Sequence, residues 1–162
     1  MNLTIGIVGS GDPEKRYDPL AEEVGALLAG KGAVIVCGGL SGIMEAACRG
    51  SRSAGGDTIG ILPGSEKKDA NPYIGYAIPT GMGVARNVLI VRTSDALIAF
   101  PGGPGTMSEI ALALNIGKPV IDLGHWNTQG TIEAETAAEA VSKALDAASL
   151  PEAVTGTMNP PG

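Results

Sequence analysis

Val34-Ile35-Val36-Cys37-Gly38-Gly39-Leu40-Ser41-Gly42 is the stretch that decides the fold. Four apolar residues run without polar alternation and stop abruptly at a glycine cluster. A strand with one wet face alternates, so an unbroken apolar run is covered on both faces, as in a parallel sheet between helix layers. The residues that follow, Ile43 to about Ala54, have helical spacing and end at Gly55-Gly56. The unit is therefore strand, glycine loop, helix.

The same unit recurs on either side. Thr4 to Val8 is an apolar strand that stops at Gly9-Ser10-Gly11, and Leu20, Val24, Leu27 and Leu28 then recur at helical spacing before Gly30 and Gly32. Thr58 to Leu62 is a third strand, ended by Pro63-Gly64. The polar segment Ser65 to Pro79, with Asn71-Pro72 inside it, reads as a loop that ends in a short strand. A helix over Val84 to Arg92 precedes a strand over Ala96 to Phe100, and Thr106 to Ile116 is helical again. Gly117-Lys118-Pro119 turns the chain into a last strand, Val120 to Leu123, and Ala134 to Ala148 forms the terminal helix. This alternation predicts an α/β fold: a doubly wound, mainly parallel sheet with helices on both faces. One domain is expected over 1–155, with a frayed tail over 156–162 that holds two adjacent prolines.

Composition narrows the function. Of 162 residues 44% are hydrophobic but only 3% aromatic, so the core must be built from Val, Ile, Leu and Ala. A net charge of −6 argues against nucleic acid as a partner, because phosphate-backbone binding needs a broad Lys/Arg surface. No apolar run approaches the ~18 residues that span a bilayer, so no membrane partner is expected and the cytoplasm is the expected compartment. Cys37 and Cys48 are too few for a disulfide scaffold and read as small buried side chains. With one histidine, His125, and no ligand-spaced cysteine pair, a protein-ligated metal is not expected.

The 25 glycines cluster at strand ends. Three glycine-rich loops leave the expected strands: Gly9-Ser10-Gly11, Gly38-Gly39-Leu40-Ser41-Gly42, and Pro101-Gly102-Gly103-Pro104-Gly105-Thr106. In an open parallel sheet, ligands sit beyond the carboxyl ends of the strands. A helix N-terminus there offers unpaired N–H groups and partial positive charge, and glycine lets an anion approach the backbone. Gly102, Gly103, Gly105 and Thr106 thus form a candidate phosphate cradle. Gly9-Ser10-Gly11 lacks the third glycine of the dinucleotide fingerprint, and no loop ends in the Gly-Lys-Ser/Thr of a P-loop, so NAD oxidoreduction and ATP hydrolysis lose weight.

The run Pro101-Gly102-Gly103-Pro104-Gly105-Thr106-Met107-Ser108-Glu109 resembles the Pro-Gly-Gly-x-Gly-Thr-x-x-Glu motif of the LOG superfamily, once mislabelled as lysine decarboxylases. Gly38-Gly39-x-x-Gly42-x-Met44-x-Ala46 is similar to that family's second glycine loop, and Arg86 stands fifteen residues before Pro101, where the family's arginine stands. The resemblance runs from about Thr4 to Leu123 and implies a Rossmann-like homodimer or homo-tetramer. It also implies two functions. In cytokinin-activating members the Arg and motif Glu, here Arg86 and Glu109, help cleave the N-glycosidic bond of a nucleoside 5′-monophosphate. In the molybdenum cofactor carriers the same fold binds a phosphorylated molybdopterin without turning it over, and any molybdenum arrives chelated by its pterin.

The departures from the hydrolase pattern favour the carrier. The hydrolases' Met-His-x-Arg-Lys block is Gly83-Val84-Ala85-Arg86-Asn87 here, and the chain passes from Glu109 to Lys118-Pro119-Val120 without the hydrolases' longer aromatic segment. Thr80-Gly81-Met82-Gly83 upstream also resembles the carrier branch, which adds Thr80 and Gly81 to the candidate ligand-binding residues. The plainer readings are a surface Arg86 paired with Asp95, and a Glu109 that only complements a helix N-terminus. Leu89, Ile90 and the Ile110 to Ile116 face read mainly as core, and the resemblance places a subunit interface on the same two helices.

Overall fold

Residues 2–12 and 15–150 are described by a computed structural model, in which β1 (Thr4–Val8) takes the centre of a seven-stranded sheet. β2 (Val34–Cys37), β3 (Thr58–Leu62) and β4 (Tyr76–Pro79) extend it one way. The chain then returns to the other side of β1 and adds β5 (Ala96–Ala99), β6 (Val120–Asp122) and β7 (Ile132–Glu133). Every adjacent pair is parallel. The strand order reverses between β1 and β5, so the loops that follow these two strands open at the switch point where such sheets bind ligands.

Alternate residues of the central strands feed two cores. Ile5 and Ile7 pack under α1 (Asp18–Gly30), α2 (Ile43–Ser53) and α5 (Ala137–Ser149). Val8, Leu97 and Ala99 pack under α3 (Asn87–Thr93) and α4 (Pro104–Asn115). Both faces are covered, which explains why the inner strands read as unbroken apolar runs. Each fully buried Ile or Leu contributes roughly 1.5–3 kcal/mol relative to exposure. α1 and α2 cross so closely that a Cβ on Gly25 would strike the Ala47 carbonyl, and one on Gly50 the Glu22 carbonyl. Phe100 is fully buried core, and the free thiols of Cys37 and Cys48 are buried with their sulfurs 3.7 Å apart. No helix among the described residues is long and apolar enough to cross a membrane.

Four differences from the sequence expectation have local causes. The expected Val84 helix begins as a 3-10 turn, Gly83–Arg86, before α3. α4 starts at Pro104 rather than Thr106, because proline is pre-set for the first helical position and needs no N–H there. α5 starts at Ala137, not Ala134, because Thr136 caps it: the Thr136 hydroxyl accepts from the Glu139 N–H at 3.2 Å. β7 has only two residues, both exposed, so it leaves no apolar run to read. The tail over 156–162 lies outside the described residues.

Candidate functional site

The loops after β1 and β5, together with the N-terminus of α2, enclose a cleft of about 400 Å³, within the range of small-molecule sites. Gly9, Ser10 and Gly11 form one wall, and Gly103, Gly105, Thr106 and Glu109 form the opposite wall. Leu40 and Met44 offer apolar surface, and Arg86 and Asn87 lie at the base of the 3-10 turn beside them. A larger hollow of about 630 Å³ runs along the β4 edge beside Lys67 and Lys68. Its one buried polar side chain, Asn71, is already used within the fold, donating to the Leu40 carbonyl and accepting from the Tyr73 N–H. The cleft at the switch point is therefore the candidate site.

Backbone contacts hold the two glycine walls in place. The Ser10 N–H donates to the Pro101 carbonyl at 2.9 Å, and the Ile43 N–H donates to the Ser10 carbonyl at 3.1 Å. Gly42, at φ +70°, sits so near the Ser10 carbonyl that a side chain there would displace the first loop. Gly38 is pressed against Arg86, where an added Cβ would lie 2.5 Å from Nη2. α4 begins with Gly103 as its N-cap and no side chain capping it. Its first-turn N–H groups and dipole therefore face the cleft without an internal carboxylate or hydroxyl acceptor.

Not every residue singled out from the sequence lines the cleft. Gly9, Ser10, Gly11, Met44, Arg86, Gly103, Gly105, Thr106 and Glu109 do. Gly38, Gly39, Gly42, Pro101 and Gly102 stand behind them as close-packed backbone. Thr80 and Gly81 are further removed: they brace the loop after β3, bonding to the Leu62 and Gly64 carbonyls. Leu40, Pro63, Gly83, Val84, Asn87 and Pro104 also line the cleft. Leu40 and Pro104 stand inside the glycine loops and Gly83, Val84 and Asn87 inside the block set against the hydrolases, but none was singled out as a ligand contact.

Arg86 and Glu109 come together at the cleft floor. They are 8% and 7% exposed, and Nη1 of Arg86 stands 3.8 Å from Oε1 of Glu109. The surface pairing with Asp95 does not occur, because the Asp95 carboxylate accepts from the Thr4 N–H and hydroxyl and Arg86 is buried. Burial disfavours the charged form of each. It pushes Glu109 up to about 7 against the opposing pull of Arg86, and it holds Arg86 below the ordinary guanidinium range despite the Glu109 carboxyl beside it. Among the described residues, no group of three or more His, Cys, Asp or Glu side chains is arranged to hold a metal ion.

Comparison with known proteins places this cleft in context. The model of LDcluster4, the SLOG cluster4 family, matches residues 2–154. A protein of Archaeoglobus fulgidus of uncharacterized role is 48% identical over 75% of this chain and 80% of its own. A cytokinin riboside 5′-monophosphate phosphoribohydrolase of Mycobacterium tuberculosis is 34% identical over 66% of this chain, but the match spans only 62% of that protein. Among solved structures, the molybdenum cofactor binding protein of Rippkaea orientalis superposes with a TM-score of 0.83 at 34% identity, covering 90% of this chain and 97% of that one. The molybdenum cofactor carrier protein of Chlamydomonas reinhardtii gives 0.81 at 32% identity, covering 91% and 98%.

Proposed function

Because the chain belongs to the SLOG cluster4 family, we propose that its switch-point cleft binds a phosphorylated nucleotide- or pterin-like molecule, and that the chain is a molybdenum cofactor carrier. The phosphate sits against the Gly103–Thr106 turn, where helix N–H groups supply positive potential without a dedicated cation. The ring system lies over Leu40 and Met44, and Arg86 completes the anion contacts. The cofactor is cargo, with its molybdenum held by the pterin and not by protein side chains.

The observation that carries this reading is the near-complete coverage of the two molybdenum cofactor proteins, 97% and 98% of their chains, by a fold of the same size. The protonation of Glu109 supports it from the chemistry. Glycosidic cleavage through this residue needs a carboxylate to steady positive charge at the anomeric carbon. A carboxyl titrating at about 7 can donate a hydrogen bond to a bound ligand in its neutral form.

Three further parts belong to the same proposal: one domain over residues 1–155, a cytoplasmic location, and a second copy packed on α3 and α4. Ile90, Ile110 and Ala113 are spent on the core, but Val84, Met107 and Ile116 remain exposed near these helices, and light scattering reads the resulting dimer. The direct test of function is incubation with AMP and with molybdopterin, following free base by chromatography and bound ligand by calorimetry. Binding without base release is the expected result. Steady release of base, lost in Glu109→Ala, would replace the carrier reading with the phosphoribohydrolase.

A further inference from the structure

Arg86 and Glu109 are buried, opposite in charge and adjacent, yet they do not form a hydrogen-bonded pair. Their nearest atoms stay 3.8 Å apart, beyond hydrogen-bond reach. Asn87 accounts for the gap. Its Oδ1 accepts from the same Nη1 that faces Glu109, which takes one of that nitrogen's two N–H groups and holds the guanidinium on the Asn87 side. The orientation of the Asn87 amide is fixed from its other end. Ser108 Oγ donates to the Gly105 carbonyl at 2.7 Å, which leaves the hydroxyl oxygen to accept, and Asn87 Nδ2 donates to it at 3.1 Å. The oxygen of the amide must therefore face Arg86. Asn87 is 6% exposed and has no room to turn its amide to water. The guanidinium is meanwhile left short of partners: Arg86 Nε is buried and bonded to nothing among the described residues.

We propose that Asn87 is a positioning residue that keeps the Arg86–Glu109 ion pair from closing into a hydrogen-bonded one, so that the guanidinium stays available to an anionic ligand and the Glu109 carboxyl takes no hydrogen bond from it. The ligand half of this statement rests on the proposed function. The uncoupling half is a property of the chain alone. It ties the residue pair to the cradle, because the same hydrogen-bond chain ends on the Gly105 carbonyl in the first turn of α4. Among the described residues, the charged or titratable groups that act on Glu109 are Arg86, from the 3-10 turn, and the Cys37 thiol, at the end of β2. Asn87 is the neutral group bonded to Arg86 beside them.

The experiment is an NMR titration of the Glu109 side-chain carboxyl in the whole chain without ligand, for wild type, Asn87→Ala and Asn87→Asp. In Asn87→Ala the buried Nη1 has lost its acceptor, and the nearest replacement is Glu109 Oε1. Closure of that pair moves the Glu109 midpoint down from about 7 by about one pH unit or more. In Asn87→Asp the new carboxylate holds Arg86 more firmly and repels Glu109, so the midpoint rises. Aspartate has the shape of asparagine, and the Ser108 hydroxyl can turn from the Gly105 carbonyl to donate to it, so this arm stands even if the alanine variant does not fold. Opposite changes from two substitutions at one position are not what a purely structural role gives. Midpoints that stay put, or that move the same way in both variants, overturn the proposal. Calorimetry with AMP then reads the ligand half: at least tenfold weaker binding is expected for Asn87→Ala. Wild-type protein that binds neither AMP nor molybdopterin would fault the proposed function and leave the titration result standing.

Discussion

Gly103→Asp is expected to weaken AMP binding by at least a hundredfold while leaving the fold as stable as wild type or more so. Nothing lies within 4 Å of a Cβ built on Gly103, and its φ of −103° suits any residue, so the substitution introduces no clash. Gly103 is also the N-cap of α4, a position where aspartate exceeds glycine by roughly a few tenths of a kcal/mol. The new carboxylate would take the place at the helix N-terminus assigned here to the ligand phosphate. Two like charges 4 Å apart near a protein surface repel by about 4 kcal/mol, roughly a thousandfold in affinity before salt screening. Gly103→Asn keeps the capping oxygen without the charge and should retain most of the binding. Calorimetry and thermal melting of the two variants separate the effects. Wild-type affinity in the aspartate variant would remove the start of α4 from the binding site.

That prediction depends on a feature the sequence carries only indirectly. The motif placed Gly103 in the cradle, but not at the N-cap, because the expected helix began two residues later. Where an unbroken apolar run is closed by glycine or proline the sequence was sufficient: β1, β2 and β3 start and stop at the expected residues, with Gly9, Gly38 and Pro63 next in the chain. The two-residue β7 and the 3-10 turn before α3 were not legible. Both are set by what the chain packs against, and neither has a pattern of its own.

The site divides in the same way. Spacing within one loop located the walls, because each wall is a continuous stretch of chain. Contact between Arg86 and Glu109 is a meeting of two segments, and the family resemblance suggested it before any geometry did. The hydrogen bond that keeps them apart was invisible, because Asn87, Ser108 and Gly105 come from two segments and none is unusual alone. Thr80 and Gly81 came only from the resemblance to the carrier branch, and their bonds to the Leu62 and Gly64 carbonyls, which brace the loop after β3, had no signal in the sequence.

Glu109 should also make the stability of the chain fall as pH rises through neutrality, and Glu109→Gln should abolish that fall. The carboxyl titrates at 4.5 in an unfolded chain and at about 7 in the folded one, raised chiefly by burial. Below pH 4.5 both states are protonated and the stabilising contribution is complete. Between 4.5 and 7 the unfolded chain releases a proton that the folded chain keeps, so each step up in pH favours unfolding. Above 7 both states have lost it. The accumulated loss is then about 3 kcal/mol, from roughly 1.4 kcal/mol for each pH unit that separates the two midpoints. Glutamine has the same shape and cannot ionise, so it escapes this penalty. The two proteins should be equally stable near pH 4.5, and the variant should be the more stable by as much as ~3 kcal/mol at about pH 8. Urea unfolding across that range reads the difference, and every other titrating group cancels in the comparison. Parallel stability curves would mean that Glu109 is ionised in the folded chain at neutral pH, with Arg86 closed onto it. That carboxylate would then be in the form that glycosidic cleavage needs, and the balance would tip from carrier to hydrolase. A variant whose stability rises above wild type with pH would instead mean that the chain tolerates a buried, nearly neutral acid under its ligand cradle. Such a group costs stability at neutral pH, and a site that binds through a proton donor gives a reason for keeping it.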